Sequence, residues 1–380
     1  MGVKVKERPK GSGVWWIFID HKGKRKAKKI GKDKRAALEV AKKIEAKLAL
    51  GDFGFEEPSP VPTFEEYSQV FLDGYSKLNH KKSTTDSYKC ILEVHILPVF
   101  GKKRLDEITR KDIKDFIYEK QKADFSANTV RVIRAYMSAI LRQAVDDEII
   151  VNNPATQTGR YINKKKSMEE INPFSQEEVS LFEKAIQVHI PRYYPLLLCA
   201  LRTGMREGEL IALKPGDIDF NGNFIEVKRN RYRDQITLPK SGKIRRVDMS
   251  KQLAETLRAY LLNRKKEALQ KGWKEPPEWL FCNENGGMID PSHLRKRIFY
   301  RCLEKAGLRH IRFHDLRHTY ATLRIAAGHN IADVSKQLGH HSIKITVDTY
   351  YHWMPGSNRS EVDQLDSENA TIRNLSATAQ

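Results

Sequence analysis

The chain has 380 residues and a formal net charge of +20, from 68 lysines and arginines against 48 aspartates and glutamates. A hydrophobic content of 40% is enough to build packed cores, which excludes disorder throughout, and the length fits two or three domains. The charge favours DNA or RNA as a partner over a membrane, because no basic amphipathic helix with an aromatic face is evident. A basic protein whose charges only solvate its surface is the alternative.

The sequence lacks the features of membrane, secreted and disulfide-bonded proteins. Its longest apolar run, Tyr193 to Leu201, is too short to cross a bilayer, and the N-terminal residues have no apolar stretch behind a basic one. The four cysteines lie far apart and form no CxxC pair, so neither a disulfide framework nor a thiolate zinc site is indicated. We therefore expect a cytoplasmic protein without a metal or another cofactor.

Residues 1–55 form the first predicted domain. The first 52 residues carry 16 lysines and arginines against six acids, which is half of the net charge. An apolar strand at 14–20, a turn at 21–23, a basic run and a helix from Asp33 predict a small α+β module. Trp15 alternates with Trp16 in the strand, so one ring can pack on the helix while the other is left for a groove or for another domain; the alternative buries both. The candidate DNA-binding residues here are Lys24, Arg25, Lys26, Lys28 and Lys29.

Three prolines between Glu56 and Pro62 predict a linker, and a second domain follows at 63–155. Capping boxes at Thr63 and Thr109, and a long amphipathic stretch that begins at Ser126, predict that this domain is all-helical. Its apolar positions are assigned to the core. Its candidate DNA-binding residues are Lys81, Lys82, Arg131 and Arg134.

A polar, basic and aperiodic stretch at 156–168 predicts a second linker that is exposed to protease. Ser175 and Glu178 then open a helix in the largest domain, 171–356, where helices surround strands at 224–227 and 235–249. The last segment, 357–380, is mildly acidic and lacks core residues, so it is predicted to be a tail. The fold class is therefore multidomain and mainly α.

Unusual polar residues occur in four separate clusters of the third domain. Each has an ordinary explanation when it is taken alone: Arg206 could be a surface arginine paired with Glu209, and Lys240 could lie at a hairpin tip beside a Ser-Gly turn signal. The clusters contain Arg206 in TGMREGEL, Lys240 in LPKSGKIRR, His314 and Arg317 in FHDLRHTY, and His340 and Tyr350 in LGHHSIKITVDTYY.

His314 and Arg317 are three residues apart, which places both on one helix face and directs two donors towards a single anion. A rival hypothesis makes His314 and His318 zinc ligands. The zinc-protease motif requires Glu directly after the first histidine, and Asp315 stands there instead.

Together the clusters resemble the tyrosine recombinase family of the phage-integrase type, whose order of catalytic residues is Arg, Lys, His-x-x-Arg, His, Tyr. The resemblance is strong over 171–355. Residues 63–155 resemble the family's core-type DNA-binding domain, and residues 1–52 resemble its arm-type domain by position, charge and pattern only. The resemblance implies six catalytic residues: Arg206, Lys240, His314, Arg317, His340 and Tyr350.

The implied chemistry is phosphodiester cleavage without metal or ATP. Tyr350 attacks the phosphorus and forms a 3′-phosphotyrosine, while Arg206 and Arg317 stabilise the developing negative charge. Lys240 protonates the departing 5′ oxygen, and the two histidines assist proton transfer.

Two of these assignments have neighbouring rivals. Tyr350 is preferred to Tyr351 because the family ends in Asp-Thr-Tyr-x-His, and Lys240 is preferred to Lys243 because of the family's hairpin register.

The sequence thus predicts a site-specific recombinase, or integrase, of a mobile element. The implied partners are double-stranded DNA attachment sites, a homotetramer on DNA, and possible accessory proteins, namely an excisionase and a DNA-bending host protein. The tail at 357–380 is predicted to dock on a neighbouring subunit. The alternatives are a DNA-binding regulator that does not cleave and a relaxase that resembles type IB topoisomerases.

Overall fold

The computed structural model describes residues 2–21, 24–49, 60–163, 171–240 and 242–353. The chain divides into two units, at 1–168 and 169–380, and each is described by itself. Residues 56–59 of the predicted first linker, residues 164–168 of the predicted second linker and the whole predicted tail lie outside the described residues. Across the described ranges, no helix is long and apolar enough to span a lipid bilayer.

The N-terminal module is a three-stranded antiparallel sheet with one helix on it. Its elements are β1 (Gly2–Glu7), β2 (Trp15–His21), β3 (Lys24–Gly31) and α1 (Lys34–Ala49). Strand β2 lies in the middle, and Ile17 and Ile19 pack against Ala41 and Ile44 of the helix. The sequence predicted the helix and the strand at 14–20 within a small sheet, but it gave β3 only as a basic run and did not predict β1, in which valine alternates with lysine at only two positions.

The second predicted domain is helical, as expected. Its α-helices are α2 (Phe64–Phe71), α3 (Lys77–Asn79), α4 (Lys82–Ile91), α5 (Leu97–Phe100), α6 (Arg110–Lys122) and α7 (Ala127–Asp146). Short π-helical segments, Leu72–Ser76 and Leu92–Ile96, join α2 to α3 and α4 to α5. Thr63 and Thr109 form the predicted capping boxes, and Ser126 caps α7.

The helical domain continues beyond the predicted boundary at 155. A 3₁₀ helix, Thr158–Tyr161, follows, and Ile162 is buried in the helical core. The backbone N–H of Asn163 donates a hydrogen bond to the side-chain oxygen of Gln121 at 2.7 Å. The predicted linker from 156 was therefore wrong over 156–163, because side-chain hydrogen bonds hold this polar segment and apolar periodicity cannot reveal them.

The third predicted domain surrounds small sheets with helices. Its helices are α8 (Gln176–His189), α9 (Tyr194–Thr203), α10 (Glu207–Ile211), α11 (Lys251–Gln270), α12 (Pro291–His293), α13 (Tyr300–Lys305), α14 (Asp315–Ala326), α15 (Ile331–Leu338) and α16 (Ile343–Tyr350). A π-helical segment, Leu294–Phe299, joins α12 to α13. The strands are β4 (Ile218–Asp219), β5 (Phe224–Val227), β6 (Asn230–Tyr232), β7 (Gln235–Thr237) and β8 (Arg245–Asp248).

Strands β4, β5 and β8 form one antiparallel sheet, and β6 and β7 form a separate hairpin. The predicted strand at 224–227 is confirmed, whereas the predicted strand region 235–249 is two strands with a connection between them. Helix α9 is buried along nearly its whole length in the main core. A smaller core forms between α14, α15 and α16 and includes the side chain of Tyr350.

Candidate active site

Arg206 is placed by a sharp break between two helices. Helix α9 ends at Gly204, which has a left-handed backbone with φ of 59° and lies against the ring of Tyr320. A Cβ at this position would lie 2.5 Å from that ring, so only glycine fits. Arg206 then caps the start of α10, and its backbone and guanidinium both donate to Glu209 at 3.0 Å.

Glu209 is fully buried and joins two arginines. Arg245 on β8 donates to both of its oxygens, at 2.9 and 2.7 Å, and also donates to the carbonyl of Gln337 at 3.0 Å. Burial alone would raise the pKa of Glu209, but the hydrogen bonds and charge of Arg245, with the charge of Arg206, lower it to about 2. This carboxylate is therefore ionised at neutral pH and fixes both guanidiniums.

Arg317 is buried inside the unit, with 3% of its surface exposed. Its guanidinium donates to the carbonyl of Gly204 at 2.8 Å and to the carbonyl of Leu338 at 2.7 Å. Burial, followed by the charge of Arg206, lowers the pKa of Arg317 to about 9, so the group remains a cation at neutral pH. These two hydrogen bonds connect the C-terminal end of α9 to the C-terminal end of α15.

His314 precedes α14, and its ring meets the ring of His318 edge-on, with ring centres 5.2 Å apart. Desolvation by the surrounding protein lowers the pKa of His314 to about 4, although the residue keeps an exposed surface, and the charges of His318, Arg317 and Arg206 act in the same direction. The histidine is therefore neutral at pH 7. Within the described ranges, no cluster of three metal-ligating side chains surrounds these two rings.

Tyr350 ends α16 and is only 1% exposed. Its hydroxyl lies 2.8 Å from Nδ1 of His318. Burial raises the pKa of Tyr350 to about 12, against the opposing charge of Arg317. Tyr351 follows in a 3₁₀ helix, Tyr351–Trp353, and is 64% exposed. The two tyrosines thus differ sharply in environment, and Tyr350 is the one among the candidate catalytic groups.

His340 follows Gly339, whose left-handed backbone ends α15 beside Arg245. Its Nδ1 lies 2.7 Å from the hydroxyl of Thr346, a fully buried residue of α16. Burial, then the charges of Arg317 and Arg206, lower the pKa of His340 to about 4. His340 is therefore a neutral, oriented imidazole.

Lys240 lies in the connection between β7 and β8. Its side chain is exposed, as is that of Lys243, and Ser241 between them is outside the described residues.

Five of the six predicted catalytic residues are grouped around Arg317, which lies within electrostatic reach of each of the other four. The sequence hypothesis did not include Glu209, Arg245, His318 or Thr346 in a catalytic role. Sequence spacing indicates Glu209 as an ion-pair partner of Arg206 and His318 as a possible zinc ligand, so both residues could have been singled out. Nothing in the sequence pattern indicates a role for Thr346. The five residues are Arg206, His314, Arg317, His340 and Tyr350.

The candidate DNA-binding residues of the first unit lie in different environments. Arg25, Lys26, Lys28 and Lys29 are exposed on β3, and the side chain of Lys24 is outside the described part of the chain. Arg25 also pairs with Asp20 at 2.8 Å, with most of its side chain in solvent.

In the helical domain, Lys81, Lys82 and Arg131 are exposed. Arg134 is half-buried and serves its own domain instead, because it donates to the carbonyl of Ala155 at 2.6 Å and to the hydroxyl of Thr158 at 3.0 Å. The sequence pattern did not indicate this internal role.

Two family profiles match this chain. The phage integrase family matches residues 187–355, and the N-terminal SAM-like domain of phage integrases matches residues 63–121. The ICEBs1 integrase of Bacillus subtilis is 31% identical over 310 residues, which cover 76% of this chain and 79% of the relative. The XerC-like tyrosine recombinase of Caldanaerobacter subterraneus is 31% identical over 262 residues, which cover 63% of this chain and 66% of the relative.

Solved structures of integrases share the fold. The Tn1549 transposon integrase, in complex with a circular intermediate DNA, gives a TM-score of 0.66 at 20% identity and covers 82% of this chain and 99% of its own. A lambda integrase tetramer bound to a Holliday junction gives a TM-score of 0.56 at 17% identity, with coverage of 90% and 96%. The predicted multidomain, mainly α fold class is confirmed.

The chain belongs to the phage integrase family of tyrosine recombinases. It is an enzyme of site-specific DNA recombination, and its relatives are integrases and transposases of mobile elements. The comparisons support this activity and not the two alternatives, a regulator that does not cleave and a strand relaxase.

Proposed function

We propose that Tyr350 is the nucleophile of this recombinase and that Arg206 and Arg317 hold the phosphate that it attacks. The observation that carries the proposal is electrostatic: the phenol lies within reach of the charge of Arg317, which lies within reach of Arg206. A guanidinium can donate two parallel hydrogen bonds to phosphate oxygens. Two of them at one site stabilise the negative charge that develops on a pentacoordinate phosphorus.

Cleavage joins the Tyr350 oxygen to the 3′ phosphate and releases the 5′ oxygen of the next nucleotide. Because the bond energy is kept in the phosphotyrosine link, a 5′ hydroxyl from another strand can reverse the step without ATP. His314 and His340 are neutral at pH 7, since desolvation and the nearby charges of Arg317 and Arg206 lower the pKa of each to about 4. They act as hydrogen-bond donors to the phosphate rather than as charges.

Lys240 is proposed to protonate the departing 5′ oxygen. Its side chain is exposed on the connection between β7 and β8, and an ammonium is a suitable proton donor for an alkoxide leaving group. Lys243 is the matched alternative on the same connection. DNA with a bridging 5′ sulfur distinguishes them, because a thiolate leaves without a proton: cleavage by the Lys240→Ala variant should be restored on this DNA, and Lys243→Ala should cleave ordinary DNA normally.

The N-terminal module is proposed to bind a second, arm-type DNA site. Ile17 and Ile19 face the helix, so strand alternation places Trp16 and Phe18 on the opposite face of the sheet. That face also carries Lys4 and Lys29, which pair across the strands with these aromatic positions. A basic sheet face with aromatic rings between its lysines suits a DNA groove and its flanking phosphates.

The helical domain is proposed to contact core-type DNA through Lys81, Lys82 and Arg131, all exposed on its surface. Arg134 is not included, because it already donates to the backbone of its own domain.

The recombinase is proposed to act as a homotetramer that brings together two double-stranded attachment sites. The lambda integrase tetramer on a Holliday junction, a protein of the same fold, supports this assembly. An excisionase and a DNA-bending host protein remain proposed accessory partners, and the bacterial cytoplasm, at the nucleoid, is the proposed location. The tail at 357–380 is proposed to dock on a neighbouring subunit, and a truncation after Gly356 that leaves tetramers intact would overturn this.

The experiment that tests the catalytic proposal uses the purified full chain in EDTA. It is incubated with supercoiled DNA that spans the flanks of its own gene, quenched with detergent and examined for a covalent protein–DNA band. We expect the band with the wild-type protein and with Tyr351→Phe, and its loss with Tyr350→Phe. A band that survives in Tyr350→Phe and disappears in Tyr351→Phe would overturn the assignment.

A further inference from the structure

The hydroxyl of the proposed nucleophile is paired with a histidine that lies outside the predicted catalytic set. Nδ1 of His318 lies 2.8 Å from the Tyr350 hydroxyl, and the two ring centres are 5.7 Å apart. Tyr350 is 1% exposed, so its hydroxyl has little access to bulk water. A buried phenol needs a specific group to take its proton when it attacks.

His318 contacts both His314 and Tyr350 through its ring. It lies in the first half of α14, one turn after His314, whose ring meets it edge-on. Its Nδ1 points across to α16, a separate helix, so the pairing joins two elements of the small core. The titratable and charged groups that face His318 are Arg312, His314, Asp315 and Arg317 from its own element, and His340 and Tyr350 from the elements packed against it.

We propose that His318 is a further catalytic residue, the base that accepts the Tyr350 proton as the phenol attacks the phosphate. This inference rests on the proposed function of Tyr350. With the proton of the neutral imidazole on Nε2, the free pair on Nδ1 accepts the hydrogen bond that the phenol donates.

The proton balance of the step is complete. The O–H bond of Tyr350 breaks and its proton moves to Nδ1 of His318, while the phenol oxygen bonds to phosphorus. The bond from phosphorus to the 5′ oxygen breaks, and that oxygen takes a proton from Lys240. Religation runs the same transfers in reverse, so His318 returns the proton to the phenol.

The protonation states of the resting pair suit this role. Burial raises the pKa of Tyr350 to about 12, so the phenol is almost wholly protonated at neutral pH. Burial also lowers the pKa of His318, and Asp315 opposes that effect, so the imidazole is neutral and able to accept a proton. The corresponding nitrogen of His340 is occupied by Thr346 at 2.7 Å, which leaves His318 as the base in contact with Tyr350.

The test compares His318→Asn with the wild-type full chain. An asparagine amide oxygen occupies nearly the position of Nδ1 and accepts a hydrogen bond, but it cannot take a proton, so the variant separates positioning from proton transfer. His189→Asn is the matched control, because His189 is an exposed histidine at the end of α8. Circular dichroism and thermal melting verify folding. His318→Gln serves as a second variant if His318→Asn does not fold.

The measurement is the rate of covalent adduct formation from pH 6.5 to 9 on DNA with a bridging 5′ sulfur, which removes the need for the leaving-group proton. We expect a loss on the order of 10²–10⁴-fold at pH 7 for His318→Asn. Its rate should rise with hydroxide, about tenfold per pH unit, because only solvent can then take the proton. The wild type and His189→Asn should show a flat profile above pH 7.

Three results would overturn the inference while leaving the nucleophile assignment intact: a rate for His318→Asn close to that of the wild type, a loss without change in the pH profile, or a faster reaction. The second would mean a structural role, and the third would mean that His318 holds Tyr350 in a resting position. Persistence of the adduct in Tyr350→Phe, run in parallel, would instead overturn the proposed function itself.

Discussion

Glu209 and Arg245 form a two-point ion pair in the interior of the second unit, with both carboxylate oxygens bonded to the guanidinium at 2.9 and 2.7 Å. Glu209 has no exposed surface, and the side chain of Arg245 is 9% exposed. The same carboxylate binds the backbone and side chain of Arg206. The pair therefore connects a strand of the sheet to the arginine that we propose holds the phosphate.

Removing the charge of Glu209 should destabilise this unit. Glu209→Gln leaves Arg245 buried without its counter-ion, which typically costs about 3–5 kcal/mol. The folded pKa of Glu209, about 2, lies below its ordinary value of 4.5, so the ion pair contributes fully above pH 4.5 and its contribution is lost as pH falls towards 2. The difference in unfolding free energy between wild type and variant should shrink over that window. Urea unfolding at several pH values measures it.

Glu226→Gln is the matched control for that experiment. Glu226 also pairs with basic residues, but at the surface where solvent screens the charges, so we expect a much smaller change than for Glu209→Gln. Equal effects of the two substitutions would contradict the importance of the buried pair.

Arg317→Lys should impair both folding and cleavage. A lysine cannot reach the carbonyls of Gly204 and Leu338 together, and leaving one buried carbonyl without a donor costs about 1–3 kcal/mol. The absence of the planar fork should lower the rate of adduct formation on the order of 10²–10³-fold. Arg312→Lys, which alters a more exposed arginine near the start of the same helix, should retain nearly full activity. Wild-type cleavage by Arg317→Lys would count against a phosphate-binding role.

Thr346→Val should remove the hydrogen bond that orients the His340 ring, and so lower the cleavage rate, without disturbing the packing of the core. The valine has nearly the volume of threonine but cannot bond to Nδ1 of His340, so the imidazole is no longer oriented by this hydrogen bond. Removal of a hydrogen bond of about 1 kcal/mol corresponds to a rate about fivefold lower. Thr346→Ser keeps the hydroxyl and should cleave faster than the valine variant. A valine variant that cleaves as fast as wild type would show that this hydrogen bond does not orient His340.

The basic strand of the N-terminal module should contribute to the salt dependence of DNA binding. Replacing Arg25 and Lys29, the basic residues of β3 on the face of Trp16 and Phe18, with alanine should reduce the slope of log affinity against log salt by about 0.9 for each phosphate that is no longer neutralised. Fluorescence anisotropy with labelled duplex DNA at several salt concentrations measures the slope. The control replaces Lys42 and Lys43, exposed on the helix of the same module, and should leave the slope nearly unchanged. Equal slopes for both variants would remove β3 from the DNA interface.

The sequence was most informative where local chemistry determines structure. Capping residues are local sequence signals for the start of a helix, and the capping boxes predicted at Thr63, Thr109 and Ser175 are present. The six catalytic candidates were recognisable because their order and spacing resemble a known family. Composition alone would not have found them, since each cluster has an ordinary structural explanation.

The sequence was least informative about contacts between distant segments. His318 and Tyr350 are 32 residues apart, and Arg245 and Gln337 are 92 apart, so no local pattern pairs them. The conformation of residues 156–163 likewise depends on hydrogen-bond donors from other parts of the chain, notably the guanidinium of Arg134. These features follow from the packing of whole elements, which periodicity does not encode.

The most direct test of the central claim identifies the residue that becomes attached to DNA. The covalent adduct formed by the wild-type protein in EDTA is digested with nuclease and then with protease, and the peptide that retains a nucleotide is sequenced by mass spectrometry. We predict that the modification lies on Tyr350, with Tyr351 of the same peptide unmodified. A nucleotide on Tyr351, or on any other residue, would contradict the account.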